Sequence, residues 1–356
     1  MRWSLFCRVV DNFGDIGFAW RLAADLAGRG EDVRLVVDDA SALAWMAPVG
    51  APGVEVVDWQ AATAATSDDV LVETFGCGLP DSVAADLSTL ANRPVRVNVE
   101  HLSAELFAAR SHGLPSPRLT ADGEPLPTWY FYPGFTPETG GLLREPGLLR
   151  QRQDFGDGRA WLAARGIARG RQERCVSLFC YRNAAADALL DALADEPTLL
   201  LLTPGPATEQ ALALLGPGLR RGELRAVTLP ALSQPEFDRL FWSCKLNFVR
   251  GEDSLVRALW AGSPFVWQAY VQDDRAHAAK VEAFLGWFLT GAPAGLASDL
   301  RRVFGAWNGL REPDTGGSMS LPDPGEWEQH CRLRRDQLAA QHELTGALLD
   351  FVASKR

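Results

Sequence analysis

The sequence predicts an α/β protein built as two Rossmann-like lobes, and three observations carry that prediction. Short apolar runs alternate with helical segments through the first half of the chain, and the same alternation restarts at Cys175. The length, 356 residues, is too great for one ordinary core and suits two domains of roughly 150 to 180 residues each. Alternation of this kind marks a parallel sheet flanked by helices.

In chain order, residues 4–10, 33–37, 54–57, 70–74 and 95–99 read as strands of a first sheet. Residues 114–146 are rich in Pro and Gly yet carry Trp129, Tyr130, Phe131, Tyr132 and Phe135, so they are expected to cover a cleft or pack beneath a loop. The charged, glycine-punctuated stretch 150–172 supplies a boundary. Residues 176–180, 198–202, 224–229, 246–249 and 264–268 read as strands of a second sheet, and 273–288 as a helix in which His277 is structural. Leu333, Ala340, Leu344, Leu348 and Phe351 form a helical stripe, which predicts a long helix or a helix pair that packs. The expected domains are residues 1–155, 156–325 and a terminal helical segment, 326–356.

Composition excludes several classes. Apolar content of 47% and charged content of 22% are ordinary for a globular chain, and a net charge of −10 argues against a nucleic-acid groove. The six cysteines are scattered without a CxxC pair, so neither a zinc site nor a disulfide framework is indicated. No apolar run approaches the roughly 18 residues of a membrane span, and the N-terminal run is too short for a signal segment. A soluble cytoplasmic protein without membrane attachment is expected. Neither GxGxxG nor a Walker loop appears where either would be needed.

Two segments carry chemistry. The first is Val9-Val10-Asp11-Asn12-Phe13-Gly14-Asp15-Ile16-Gly17, between an apolar strand and a helical pattern. A strand-to-helix turn normally offers its N–H groups to an anion, but Asp11 and Asp15 would repel a pyrophosphate. They can instead hold a cation or take a proton from a nucleophile, with Asn12, Phe13, Gly14 and Gly17 shaping the loop. The second is Asn247 to Ser254, leading into a helix that ends at Gly262 and Pro264. Asp253 or Ser254 suits its N-cap, and Arg250 with the helix N–H groups can hold a diphosphate. Glu252 and Asp253 fit sugar hydroxyls better than phosphate, although an ordinary capping cluster also explains them. Phe179 and Tyr181 share one face at the end of a strand, where they either stack on a nucleobase or pack in the core.

Together with Tyr132-Pro133-Gly134-Phe135-Thr136-Pro137 and Thr139-Gly140-Gly141-Leu142, these motifs closely resemble the bacterial protein-arginine rhamnosyltransferases that modify elongation factor P (the EarP family), across essentially the whole chain. The resemblance implies a GT-B fold: two Rossmann-like lobes with a central inter-lobe cleft. It implies inverting transfer of L-rhamnose from dTDP-β-L-rhamnose to one arginine of elongation factor P, activating that factor to relieve ribosomes stalled at polyproline. It also implies that neither a cofactor nor a metal is needed. Asp15 is similar to the family's general base, and Asp11 is its neighbour. Phe179, Tyr181, Gln234, Arg250, Glu252, Asp253 and Ser254 fall on its donor-binding positions. The first lobe would bind the acceptor protein, and the second the donor. The pattern departs near Ala231, where the family often carries an aromatic residue.

The residues agree with that implication. A guanidinium has a pKa above about 12 and is a poor nucleophile while protonated, so transfer to its nitrogen needs help. Asp15, with Asp11 and Glu252, is expected to orient it. Two rivals stay open at this point: a GT-B glycosyltransferase or epimerase working on a small-molecule sugar nucleotide, and a noncatalytic nucleotide-sugar sensor.

Overall fold

The computed structural model describes residues 1–10, 13–63, 68–87, 93–116, 127–270, 276–311 and 319–356. The chain divides into two compact units, Met1–Pro146 with Leu338–Arg356, and Gly147–Gln337.

The first unit is organised by a seven-stranded sheet among the described residues. Its strands are β1 (Arg2–Cys7), β2 (Asp32–Val37), β3 (Val54–Asp58), β4 (Val70–Thr74), β5 (Val95–Val99), β6 (Pro115–Ser116) and β7 (Thr128–Phe131). Their order is β3-β2-β1-β4-β5-β7-β6, with every pairing parallel except β6 with β7. Parallel strands covered on both faces read as apolar runs, and Leu5, Leu35, Val70, Val72, Val97 and Val99 are fully buried. The helix Gly14–Gly28 packs Ile16, Ala19, Leu22, Ala23 and Leu26 into the same core.

β7 differs from expectation. The frequent Pro and Gly of residues 114–146 hide its alternation, yet Trp129 to Phe131 pair in parallel with Val97 to Val99. The aromatic run is therefore a strand, with Phe131 fully buried.

The second unit holds a six-stranded sheet among the described residues. Its strands are β8 (Arg174–Leu178), β9 (Thr198–Leu202), β10 (Arg220–Arg221), β11 (Leu224–Thr228), β12 (Leu246–Arg250) and β13 (Phe265–Gln268). Their order is β10-β11-β9-β8-β12-β13, parallel apart from the β10–β11 hairpin.

The division falls at Pro146/Gly147, earlier than the 155/156 boundary read from glycine punctuation. Residues 148–155 pack within the second unit, where Arg152 Nε donates to Ala261 O at 3.1 Å and Phe155 meets Trp242 edge-on at 5.4 Å. The terminal segment is a helix pair, Pro324–Ala339 and Leu344–Ala353, and it is shared between units rather than separate. Leu344, Leu348 and Val352 complete the first unit's core. Leu333 does not join any packed stripe, because the buried face of its helix runs through Trp327, Cys331, Arg334 and Leu338; Leu333 lies off it, 47% exposed.

Both sheets reverse direction of growth at one place: between β1 and β4 in the first, and between β8 and β12 in the second. Neighbouring crossovers leave there on opposite faces and open a crevice at the strands' carboxyl ends, which is where open α/β sheets bind ligands. The Asp15 segment follows β1, Phe179 and Tyr181 follow β8, and Glu252 to Ser254 follow β12. No helix among the described residues is long and apolar enough to cross a membrane.

Candidate active site

In the first unit Asp15 lies in the opening turn of the helix Gly14–Gly28, not in the preceding loop. A carboxylate there is favoured by the helix dipole. Asp15 is 8% exposed, and its Oδ2 accepts the N–H of Val10 at 2.8 Å, so the side chain reaches back and closes the turn after β1. Val9 N–H is held in the same way by Asp38 Oδ1 at 2.9 Å. Phe13 occupies the N-cap position without a side-chain cap, accepts from Gly17 N–H at 3.0 Å, and packs edge-on against Trp45. Gly14 and Gly17 lie within the helix, Gly17 buried. Asp11 and Asn12 lie outside the described residues.

Beside this turn, at the end of β4, Phe75 adopts φ 57°, in the left-handed region that side chains other than Gly, Asn and Asp rarely enter. Such a conformation costs on the order of 1–3 kcal/mol and persists only where surrounding contacts impose it. Here Phe75 N–H donates to Val99 O at 2.7 Å, and the ring stacks on His101 at 4.5 Å and meets Phe18 at 5.1 Å. The Cys7 and Cys77 thiols, both against Thr74, are each pushed up to about 12, chiefly by burial, which keeps them un-ionised and inert at neutral pH.

In the second unit the predicted donor residues converge. The Arg250 guanidinium stands 4.8 Å from the Phe179 ring centroid and 4.4 Å from that of Tyr181. Phe179 meets Phe237 edge-on at 5.0 Å, and Phe237 lies one turn along the helix that begins at Gln234. Gln234 is 8% exposed. Asp253 opens the helix Asp253–Ala261, and Glu252 occupies its N-cap position without accepting a side-chain cap bond.

Neither Asp253 nor Ser254 is the N-cap that the sequence suggests. Ser254 is 4% exposed, and its hydroxyl turns back to the backbone of Arg250, accepting the N–H at 3.1 Å and donating to the carbonyl. Ser254 thus braces the strand end that carries Arg250. Glu252 pairs with Lys280 Nζ at 3.2 Å, which offsets the negative charge beside a candidate diphosphate site.

Three further residues belong to this cluster and were not singled out by pattern. Gln268, 3% exposed at the end of β13, accepts the Tyr181 N–H at 2.9 Å, while its own carbonyl accepts Gly251 N–H at 3.3 Å. Tyr270, 58% exposed, meets Tyr181 edge-on at 5.6 Å. Lys280 is the third. The available signal was position: Gln268 ends β13, the strand beside β12, and Tyr270 lies two residues beyond it, as Phe179 and Tyr181 lie just beyond β8.

A family model described as elongation factor P (EF-P) rhamnosyltransferase EarP matches residues 3–353. The chain belongs to this family. The EarP match agrees with a relative from Pseudomonas aeruginosa, a protein-arginine rhamnosyltransferase 40% identical over 99% of this chain and 98% of its own length. It agrees also with a solved structure described as the structural basis for EarP-mediated arginine glycosylation of translation elongation factor EF-P. That structure is 32% identical with a TM-score of 0.70, covering 100% of this chain and 99% of its own. The MurG structure from Acinetobacter baumannii matches at 14% identity and a TM-score of 0.52, covering 99% of each chain, a likeness of fold alone. The chain has the GT-B glycosyltransferase fold of its EarP relatives.

Proposed function

We propose that this chain transfers L-rhamnose from dTDP-β-L-rhamnose to a side-chain nitrogen of one arginine in elongation factor P, with inversion at the anomeric carbon. Family membership supports the reaction class, and one structural observation carries the finer reading. The two switch points are chemically opposite. That of the first sheet carries a nearly buried carboxylate, Asp15, and that of the second a guanidinium among aromatic rings, Arg250 with Phe179 and Tyr181. A cationic acceptor suits the former and an anionic nucleoside diphosphate the latter.

In this reading the thymine stacks on the ring cluster, and the diphosphate is met by Arg250 and the N–H groups opening the helix Asp253–Ala261. The acceptor nitrogen attacks the anomeric carbon from the face opposite the diphosphate. The new N–C bond forms as the C–O bond to phosphate breaks, the nitrogen's proton passes to Asp15, and dTDP leaves with the bonding pair. A single displacement inverts the centre and leaves no sugar on the enzyme. The protonation problem of the guanidinium is met because attack and proton loss are concerted.

Intact-protein mass spectrometry of elongation factor P, incubated with this chain and dTDP-L-rhamnose, tests the proposal. One added deoxyhexose on an arginine, absent with Asp15→Asn, is the expected result. An unmodified factor alongside free rhamnose or an altered sugar nucleotide would overturn it.

A further inference from the structure

We propose that Glu100, with the stacked rings of Phe75 and His101, forms the subsite that grips the acceptor guanidinium; the inference rests on the arginine-acceptor reading above. Strands β4, β5 and β7 end side by side next to the switch point. Asn98, buried near the end of β5, serves two of those ends. Its Oδ1 accepts the Gly76 N–H at 2.9 Å, and its Nδ2 donates to Glu100 Oε1 at 2.7 Å. One side chain therefore fixes both the turn after Phe75 and the direction of a carboxylate.

The strain at Phe75 points the same way. A glycine takes positive φ freely, as Gly76 and Gly78 do immediately afterwards, so the backbone alone gives no reason for a phenylalanine. What the position retains is the ring, held parallel to His101 within 11° and braced by Phe18. Phe18 lies three residues beyond Asp15, on the same side of its helix. The platform is thereby linked to the general base.

A guanidinium is planar, stacks on aromatic faces and presents a fork of N–H donors to a carboxylate. A flat ring pair beside a fixed carboxylate matches all three properties, whereas an ammonium would use only the charge. The Tyr132 phenol at the end of β7 is raised above its ordinary value, first by burial and then by the negative charge of Glu100. The Glu100 carboxylate thus lies close enough to Tyr132 to act on it.

Steady-state transfer at saturating dTDP-L-rhamnose with elongation factor P varied, for the wild-type chain, Glu100→Gln and His101→Ala, tests the subsite. Glu100→Gln keeps an oxygen for Asn98 and removes only the charge; His101 is exposed, so its loss spares the core. The expected result is an acceptor KM raised at least about tenfold in Glu100→Gln and severalfold in His101→Ala, with donor Kd and Tm held. An acceptor KM unchanged in both variants, or a loss that falls on donor Kd, overturns the subsite. If the wild-type chain itself modifies no arginine, the parent reading falls first, and the wild-type assay shows this before either variant is compared.

Discussion

The Arg250 guanidinium lies over the Tyr181 ring, 4.4 Å from its centroid. Cation–π contacts of this kind contribute about 0.5–2 kcal/mol, less than a charge-assisted pair with a diphosphate. In the proposed donor site, binding would therefore exchange the ring contact for a phosphate contact and leave the ring to the base. Arg250→Ala is expected to weaken dTDP binding at least about tenfold by calorimetry, and Arg250→Lys to restore only part, because an ammonium cannot form the bidentate pair. Unchanged affinity in Arg250→Ala would remove it from the donor site.

Asp15→Asn is expected to lower transfer to elongation factor P by at least about 10²-fold, the lower end of a general base's contribution. The asparagine carbonyl can still accept the Val10 N–H, so the turn survives and dTDP affinity is held. Turnover at the wild-type rate would exclude Asp15 as the proton acceptor.

How much of this could be seen in the sequence depended on what each residue's partners were. Strand β9 was legible to the residue as an almost continuous apolar run, and β4 and β5 from their valines at every second position, with Glu73, Arg96 and Asn98 buried between or beside them. The Asp15 and Arg250 segments stood out as candidates because acids and a cation beside glycines follow strand ends there, at a crevice of an α/β sheet. What escaped was decided by tertiary neighbours: β7, whose apolar run sits among prolines, and Ser254, whose hydroxyl serves Arg250 rather than a helix cap. Gln268 and Tyr270 gain their meaning only from lying beside Tyr181. Phe75 looks ordinary until its φ is known.

The helices that present Gln234 and Asp253 are tied by Arg257 and Asp238, a fork-to-fork pair at 2.7 Å for both contacts, with side chains 1% and 7% exposed. Arg257→Met removes the guanidinium from a buried carboxylate and is expected to cost about 3–5 kcal/mol in chemical denaturation. Replacing both partners with apolar residues should recover most of that loss. Additive effects of the two changes would show that the pair is not coupled.

His112 is held below its ordinary value of 6.5, chiefly by burial, and its Nδ1 accepts the Tyr132 N–H at 3.0 Å, which requires that nitrogen to be unprotonated. Below pH 6.5 the unfolded chain takes up the proton before the folded one. The stabilisation is therefore complete above 6.5 and is lost as pH falls through the lowered folded value. Tm measured from pH 7.5 down to 5 should fall, and His112→Asn, which keeps an acceptor but cannot titrate, should flatten the slope. An identical slope would assign the acid sensitivity elsewhere.

In the proposed reaction the departing diphosphate is met by Arg250 and helix N–H groups rather than by a cation. Exhaustive chelation is expected to change kcat by no more than about twofold. A collapse restored by added magnesium would require a metal in the donor site.

Leu344, Leu348 and Val352 complete the core of the first unit, although the whole of the second unit is encoded before them. During synthesis the acid-bearing sheet is made first but must wait, with part of the face beneath the helix Gly14–Gly28 uncovered, until some 190 further residues have been translated. The second unit, encoded without interruption, can close on itself in the meantime. Completion of the first unit's core is thereby tied to a full read-through: a ribosome that stops before residue 338 leaves behind a second unit encoded whole and a first unit lacking Leu344, Leu348 and Val352.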